Sequence, residues 1–208
     1  MASTYSTDIQ LELVTTGEKA GLWGSITNTN LQILEQAATG YASIDMAAAD
    51  VTLVLTDGAT SNGKNIYLRL YGTLAANRTL TMPVTAERVW IIKDETVRGT
   101  SNRTLGVLTA SGTAQPVPPG ATLLCRSDGS ETVVTIIEKG YATITDSNTP
   151  YTTVAGAQIF ANTSSNPITV TLPASPSVGD EVTIIDTRAS WASNNLTVGR
   201  NGQPINTA

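Results

Sequence analysis

Most of the chain beyond residue 50 consists of short runs in which apolar and polar residues alternate, separated by turns rich in Gly, Pro and Asn. Alternation with a period of two places the apolar side chains on one face of a strand, and Val, Ile and Thr suit that pleated surface. The runs are VTLVLTDG, NIYLRLYG, RTLTMP, RVWIIKDET and RTLGVLTA, followed by ATLLCRSDGSETVVTII. This pattern predicts a mainly β protein with hairpins that turn at Asn62–Gly63 and at Asp128–Gly129.

The strand pattern occurs twice along the chain, in blocks that follow one another in the same order. The matched blocks are Thr79–Pro83 with Thr169–Pro173, Val89–Ile92 with Val182–Ile185, and Gln115–Val117 with Gln203–Ile205. A tandem duplication explains this order. We therefore predict two related small β-sandwich or β-barrel-like modules, the first at residues 43–139 and the second at residues 140–208.

The second copy lacks a counterpart of one part of the first. After Gln115–Val117 the first copy continues through a further hairpin of about twenty residues, and no such hairpin follows Gln203–Ile205. Either the sequence is a piece of a longer protein, or another chain supplies the missing strands. The first interpretation is favoured, because a module with an open sheet edge is prone to aggregate.

The segment at residues 1–42 has a different pattern and is predicted to be a docking arm and helix. From Trp23 to Thr39, apolar residues such as Ile26 and Ile33 fall at helical spacing, and Gly40 is placed to end the helix. The first half of this helix is rich in Ser, Thr and Asn, whose side chains compete for backbone hydrogen bonds. Such a helix is marginal alone and is expected to need docking against another surface.

Composition narrows the classes of function. The formal net charge is -5 and only 14% of residues are charged, so no basic surface for nucleic acid or anionic lipid is expected. No stretch approaches the ~18 uninterrupted apolar residues that a membrane span needs, so membrane insertion is not expected. The chain has no histidine, which removes charge-relay triads and histidine metal sites. Its single cysteine, Cys125, lies at an alternating strand position and is predicted to be a buried small side chain. We expect no enzyme activity, no cofactor and no metal.

Two other groups of residues are candidates for ligand binding or catalysis. The sequence GATSNGKN at residues 58–65 approximates a phosphate-binding loop, but Asn65 stands where Ser or Thr is required and a strand pattern follows where a helix is required. A hairpin turn is the favoured interpretation.

The candidate carboxylate pairs for a glycosidase are Asp180–Glu181, Asp94–Glu95, and Asp128 with Glu131. Each lies at a strand end or in a turn, where acidic residues are common.

The segment TGEKAGLWGSITNTNLQILEQAATGY resembles the N-terminal segment of tail-fibre and baseplate-adhesin proteins of tailed bacteriophages, particularly those of marine bacteria and cyanobacteria. The residues that carry this likeness are Gly17, Gly21, Trp23, Gly24, Asn28, Asn30 and Leu31. The stretch from Ile168 to Ile205 likewise resembles a β-repeat found along such fibres. Together the two stretches cover under half of the chain.

This resemblance implies a homotrimeric structural protein of the virion tail, made in the host cytoplasm. The N-terminal segment would dock to tail, baseplate or nozzle proteins, and the β-modules would form a shaft leading to a distal tip that binds a host surface glycan or protein. In the docking segment the glycines would let the backbone bend and Trp23 would be an apolar anchor. The expected docking residues are Gly17, Gly21, Leu22, Trp23, Gly24, Ile26, Asn28, Asn30, Leu31, Ile33 and Leu34.

Two alternatives remain open. The first is a carbohydrate-binding or polysaccharide-degrading module of the tailspike type, which would use exposed aromatic rings or a carboxylate pair in a groove. Aromatic residues make up only 5% of the chain, and this low content argues against a sugar platform. The second is a repeat protein of the bacterial surface.

Overall fold

A computed structural model of the protein describes residues 3–99, 103–109 and 112–203. Within these ranges the chain forms seventeen short strands, one α-helix and two 3₁₀ turns, at Asn62–Lys64 and Asp146–Asn148. The α-helix is α1 (Trp23–Thr39). The strands are β1 (Thr4–Tyr5), β2 (Glu12–Leu13), β3 (Tyr41–Asp45), β4 (Val51–Thr52), β5 (Tyr67–Thr73), β6 (Arg78–Met82), β7 (Glu87–Val97), β8 (Leu105–Thr109), β9 (Gln115–Pro116), β10 (Thr122–Asp128), β11 (Thr132–Glu138), β12 (Tyr141–Ile144), β13 (Tyr151–Thr152), β14 (Gln158–Ala161), β15 (Ile168–Thr171), β16 (Thr183–Asp186) and β17 (Leu196–Gly199).

Most strands pair in parallel with a strand one coil further along the chain, which is a β-solenoid-like arrangement. Strands β3, β5 and β7 form one parallel stack, and β4, β6 and β8 form a second. The order repeats in β12, β14 and β16 and in β13, β15 and β17. The predicted mainly β class with one helix is therefore confirmed. The chain forms these stacked coils rather than the expected sandwich or barrel-like modules.

The predicted hairpin at Asn62–Gly63 is wrong. These residues lie in a 3₁₀ turn, and the strands on either side of it, β4 and β5, belong to different stacks. An Asn-Gly pair between two alternating runs predicts a hairpin on the assumption that the two runs are neighbours in one sheet. Here each run pairs instead with the next coil.

The predicted hairpin at Asp128–Gly129 is confirmed. It joins β10 to β11 in antiparallel pairing, and Gly129 adopts a φ of 87°. Strand β10 also pairs antiparallel with the last parallel strand of its stack, β7, and β9 pairs in the same sense with β8. The hairpin and β9 therefore close the parallel coils of residues 41–109.

The two sets of coils have the same order and register of parallel strands. Equivalent inward rows are Ala42, Leu68 and Ile92 in the first set of coils, and Ala142, Ile159 and Ile184 in the second. The block around Leu80 also corresponds to the block around Val170. The match of Val89–Ile92 with Val182–Ile185 is displaced by one residue, since Ile92 corresponds to Ile184.

Each set of coils encloses its own cluster of buried side chains. The first cluster contains Trp90, which is fully buried and donates its indole N–H to the Gly63 carbonyl over 2.8 Å. The second, smaller cluster contains Ile159 and Val170. Burial of these inward rows between the two stacks of each set is the main hydrophobic contribution to the fold.

Cys125 on β10 is fully buried, as the sequence predicts, and burial raises the pKa of its thiol to about 12. Because the thiolate is the reactive form, we expect the folded chain at pH 8 to react with a disulfide reagent only as fast as β10 opens. Unfolding in urea should make the reaction immediate. Release of the chromophore from a thiol-specific reagent measures both rates.

A matched variant carries C125S with S130C, which moves the cysteine to the exposed turn after Asp128. This variant should react rapidly without urea. Equal rates for the folded wild-type chain and this variant would show that Cys125 is not protected.

Candidate docking surface

Helix α1 has two apolar faces, of which its own chain covers only one. Ile33 is fully buried, whereas Trp23, Leu31 and Leu34 are 52%, 57% and 42% exposed. At 100° per residue these three exposed positions lie within roughly 80° of one another around the helix axis. We call Trp23, Leu31 and Leu34 the exposed stripe. Leu22, immediately before the helix, is 52% exposed and extends this apolar surface.

Polar side chains also hold α1 to the rest of the chain. Asn30 accepts a hydrogen bond from the Glu12 N–H over 3.0 Å and donates one to the Glu12 carbonyl over 2.9 Å, which fastens β2 to the helix. Gln36 accepts a hydrogen bond from the Ser61 N–H over 3.2 Å. The sequence analysis did not single out Glu12 or Gln36, because only the tertiary structure brings their partners close.

The ends of α1 follow the sequence pattern. The helix begins at Trp23 without a side-chain cap on the preceding residue, Leu22. It ends at Thr39, and the Gly40 N–H donates to the Gln36 carbonyl. A Cβ at Gly40 would lie only 2.2 Å from that carbonyl oxygen, so glycine is required there. The predicted helix and its C-terminal stop are confirmed.

Two of the predicted docking glycines make bends rather than close contacts within the chain. Gly17 and Gly21 adopt φ values of 87° and 79°, and a Cβ at either would meet nothing within 4 Å. Their left-handed backbone explains the choice of glycine. Gly24 lies in the first turn of α1, where a Cβ would also be unobstructed.

The predicted docking residues therefore divide into two groups. The exposed group consists of Gly17, Gly21, Leu22, Trp23, Gly24, Asn28, Leu31 and Leu34. Ile26 and Asn30 are half-buried and Ile33 is fully buried. Since Ile33 and Asn30 already contact their own chain, they position the helix and leave the exposed stripe as the surface that a partner could contact.

The N-terminal arm folds back on itself. Thr4–Tyr5 pairs antiparallel with Glu12–Leu13, and the Glu12 carboxylate lies 3.2 Å from the Lys19 ammonium. A hydrogen bond from Ser3 and the charge of Lys19 lower the pKa of Glu12. The arm thus joins the helix through Glu12 as part of one local unit.

The carboxylates of the pair Asp94–Glu95 do not face each other. Asp94 points into the core, where it accepts hydrogen bonds from Arg98, Thr96 and the Gly120 N–H. Glu95 points outwards and pairs with Arg69. Neighbouring residues of a strand lie on opposite faces, so this pair has no shared groove.

The other acidic candidates serve turns and surface ion pairs. Asp128 accepts hydrogen bonds from the backbone N–H groups of Glu131 and Ser130, and these lower the pKa of Asp128 to about 2. Asp180 accepts the Ser177 N–H over 2.8 Å, and Glu181 pairs with Lys139 over 3.2 Å. Each of these carboxylates therefore stabilises a turn or forms a surface ion pair.

The loop that approximates a phosphate-binding motif is folded around its own lysine. Lys64 is fully buried, and its ammonium donates to the carbonyl oxygens of Thr56 and Ala59 over 2.6 and 2.7 Å. Burial lowers the pKa of Lys64. A phosphate-binding loop surrounds its ligand with backbone N–H groups, whereas this loop surrounds a cation with carbonyl oxygens.

Among residues 3–99, 103–109 and 112–203, no three acidic, cysteine or histidine side chains are grouped so that they could hold a metal ion. The helix in that part of the chain does not have the length and apolar character needed to cross a bilayer. Comparisons of the chain with family models, curated proteins and solved structures find no match. The exposed stripe on α1 is therefore a candidate functional surface because of its exposed apolar side chains.

The two faces of α1 should respond differently to truncation. We expect Trp23→Ala to change the free energy of unfolding by less than about 1 kcal/mol, because the indole is half exposed. Ile33→Ala should lower it by about 2–5 kcal/mol, since it leaves a cavity at a fully buried site. Urea denaturation of each purified variant measures the difference. A loss for Trp23→Ala as large as that for Ile33→Ala would place the indole in the core of its own chain.

Proposed function

We propose that this chain is a structural protein of a bacteriophage tail, as a tail fibre or fibre adaptor. Its N-terminal segment would dock onto the tail or baseplate, and its β-coils would form a trimeric shaft leading to a receptor-binding tip. The observation that carries the proposal is the exposed stripe of Trp23, Leu31 and Leu34 on a helix that Asn30 and the buried Ile33 fasten to its own chain. The resemblance of this segment to phage tail proteins supports the same assignment.

The energetics of the stripe favour a protein partner. Full burial of a large apolar side chain contributes about 1.5–3 kcal/mol, and these three residues are only half covered. Contact with a partner would therefore add roughly half of that amount for each residue. Tryptophan and leucine clustered on one exposed helix face are typical of an anchoring contact.

The coiled β-structure suits a shaft. Parallel coils add to one another along a single direction, so a chain can lengthen by repeating the same unit. The two sets of coils in this chain repeat one strand order. Identical chains arranged around an axis would then make the same contacts repeatedly, which is the usual basis of cyclic homo-oligomers.

The double variant Leu31→Ser with Leu34→Ser tests docking. It should fold as the wild-type chain does and should be lost from tail particles assembled in cells that express it, because the apolar contact is removed. Immunoblotting of purified particles measures incorporation, and sedimentation equilibrium measures the mass of the free chain. The matched control is Val54→Ser with Val178→Ser, which alters two exposed apolar residues outside the helix.

Incorporation of the stripe variant at the wild-type level would contradict the proposal. Point variants test the stripe alone, whereas removal of residues 1–42 also removes the buried Ile33 and the Asn30 contacts with Glu12. A free chain with the mass of a monomer would contradict the trimeric part of the proposal alone.

A carbohydrate-binding module of the tailspike type is the second candidate, and one observation favours it. Tyr41 stacks on Tyr67 with ring centroids 5.5 Å apart, and Tyr141 contacts Phe160 at 5.0 Å. Tyr41 and Tyr141 begin equivalent strands and are 56% and 60% exposed. Exposed ring faces held in place by a second ring are suited to apolar contact with a sugar.

This candidate predicts retardation of the chain by host polysaccharide in affinity electrophoresis. Tyr41→Ala with Tyr141→Ala should abolish the retardation, because it removes both exposed rings. Tyr5→Ala, at a tyrosine that is 39% exposed on β1, is the matched control. Equal mobility of the wild-type chain and the double variant in the polysaccharide gel would eliminate the carbohydrate-binding candidate.

A further inference from the structure

The sequence contains two Asn-Gly pairs, Asn62–Gly63 and Asn201–Gly202. This dipeptide has a reactivity of its own, because glycine has no side chain to shield its backbone nitrogen or to restrict its backbone. That nitrogen can attack the side-chain amide carbon of the asparagine before it. The structure places the two pairs in different environments, so the same dipeptide is expected to react at different rates.

The pair Asn62–Gly63 is held on both sides by hydrogen bonds. Gly63 is buried, its N–H donates to the Val54 carbonyl over 3.1 Å, and its carbonyl accepts the indole N–H of Trp90 over 2.8 Å. The side-chain oxygen of Asn62 accepts the Val54 N–H over 2.8 Å. The nitrogen that would attack and the amide that it would attack are therefore both engaged, and reaction requires local opening of this loop.

The pair Asn201–Gly202 forms an exposed turn. Both residues are exposed and have φ values of 53° and 78°, and the Gln203 N–H donates to the Arg200 carbonyl over 3.0 Å. Positive φ at both central residues is typical of a type I′ turn, for which Asn-Gly is a preferred sequence. Among the described residues, no group accepts a hydrogen bond from the Gly202 N–H. The attacking nitrogen therefore has no bond within this part of the chain to give up.

We infer that Asn201 is a site of spontaneous deamidation in the folded chain and that Asn62 is protected from it. The backbone nitrogen of Gly202 bonds to Cγ of Asn201 as the bond from Cγ to Nδ2 breaks. The proton of the Gly202 N–H leaves with Nδ2 as ammonia, and a succinimide ring remains. Solvent water then adds to the ring and breaks one of its two C–N bonds, which gives aspartate or isoaspartate.

Deamidation at Asn201 changes how the turn is attached to the fold. The side-chain amide of Asn201 donates to the Leu172 carbonyl over 3.1 Å, and that of Gln203 donates to the Ala174 carbonyl over 2.8 Å. A carboxylate has no proton to donate to Leu172. Isoaspartate also lengthens the backbone of a turn that has only two central residues. The reaction is therefore expected to loosen residues 200–203, and this inference does not depend on the proposed function of the helix stripe.

Ageing of the full chain tests the inference. The chain is incubated at mildly alkaline pH, where the backbone nitrogen loses its proton more readily, and mass spectrometry of peptide fragments locates each conversion of an amide to a carboxylate. We expect Asn201 to react at least roughly tenfold faster than Asn62 in the folded chain, because only Asn62 must wait for local opening. In urea the two should react at similar rates, since each precedes a glycine.

Two variants assign the reaction to the turn. Asn201→Gln keeps an amide donor but requires a larger ring for the attack, so the reaction at residue 201 should be lost while the rate at Asn62 is unchanged. The matched control is Asn195→Gln, at an exposed asparagine that precedes a leucine, and it should leave the rate at Asn201 unchanged. Methyl transfer by an isoaspartate methyltransferase measures the isoaspartate formed in each chain.

Hydrogen exchange measures the consequence for the fold. Backbone amides of residues 200–203 should exchange faster in the aged wild-type chain than in the Asn201→Gln chain aged in parallel. Equal rates of deamidation at Asn201 and Asn62 in the folded chain would overturn the inference. Reaction of Asn201 in urea but not in the folded chain would overturn it as well, and unchanged exchange after complete deamidation would refute the loosening of the turn.

Discussion

Parallel backbone pairing between successive coils is the interaction on which the rest of this structure depends. A strand in the middle of a stack has both of its edges paired and its inward side chains covered by the next coil, as Leu68 is between Ala42 and Ile92. The last coil of a stack has no such neighbour unless a different element closes it. In the first set of coils β10 pairs with β7 and β9 pairs with β8, so both stacks are closed there.

Helix α1 depends on a similar division between a covered and an uncovered face. The burial of Ile33 and the hydrogen bonds of Asn30 attach the helix to the chain and thereby fix the direction in which Trp23, Leu31 and Leu34 point. A helix so rich in Ser, Thr and Asn would be weak without that attachment. The attachment therefore positions Trp23 and its neighbours for contact with something outside the chain, which supports the proposed docking role.

The polar groups that first suggested chemistry are already paired within the fold. Lys64 donates to two loop carbonyls, Asp94 bonds Arg98 inside the core, and Asp128 accepts backbone N–H groups in a turn. Among the described residues, the exposed apolar and aromatic side chains include the helix stripe and the rings of Tyr41 and Tyr141. These are apolar or aromatic surfaces, and they support an interaction protein as the working proposal.

The sequence by itself determined the local elements. Alternation marked the strands, helical spacing and Gly40 gave the bounds of α1, Asp128–Gly129 predicted a hairpin, and the place of Cys125 in its strand predicted burial. Only the tertiary structure decided that the strands stack in parallel coils, that Asn62–Gly63 makes a 3₁₀ turn, and that Ile33 rather than Trp23 faces inwards. The physical reason is that alternation has the same period in parallel and antiparallel sheets, so the pattern along one strand cannot identify its neighbour. The buried and the exposed apolar residues of the helix likewise both have helical spacing. Which of them are covered depends on contacts between residues far apart in the sequence: Asn30 bonds Glu12, 18 residues away, and Gln36 bonds Ser61, 25 residues away.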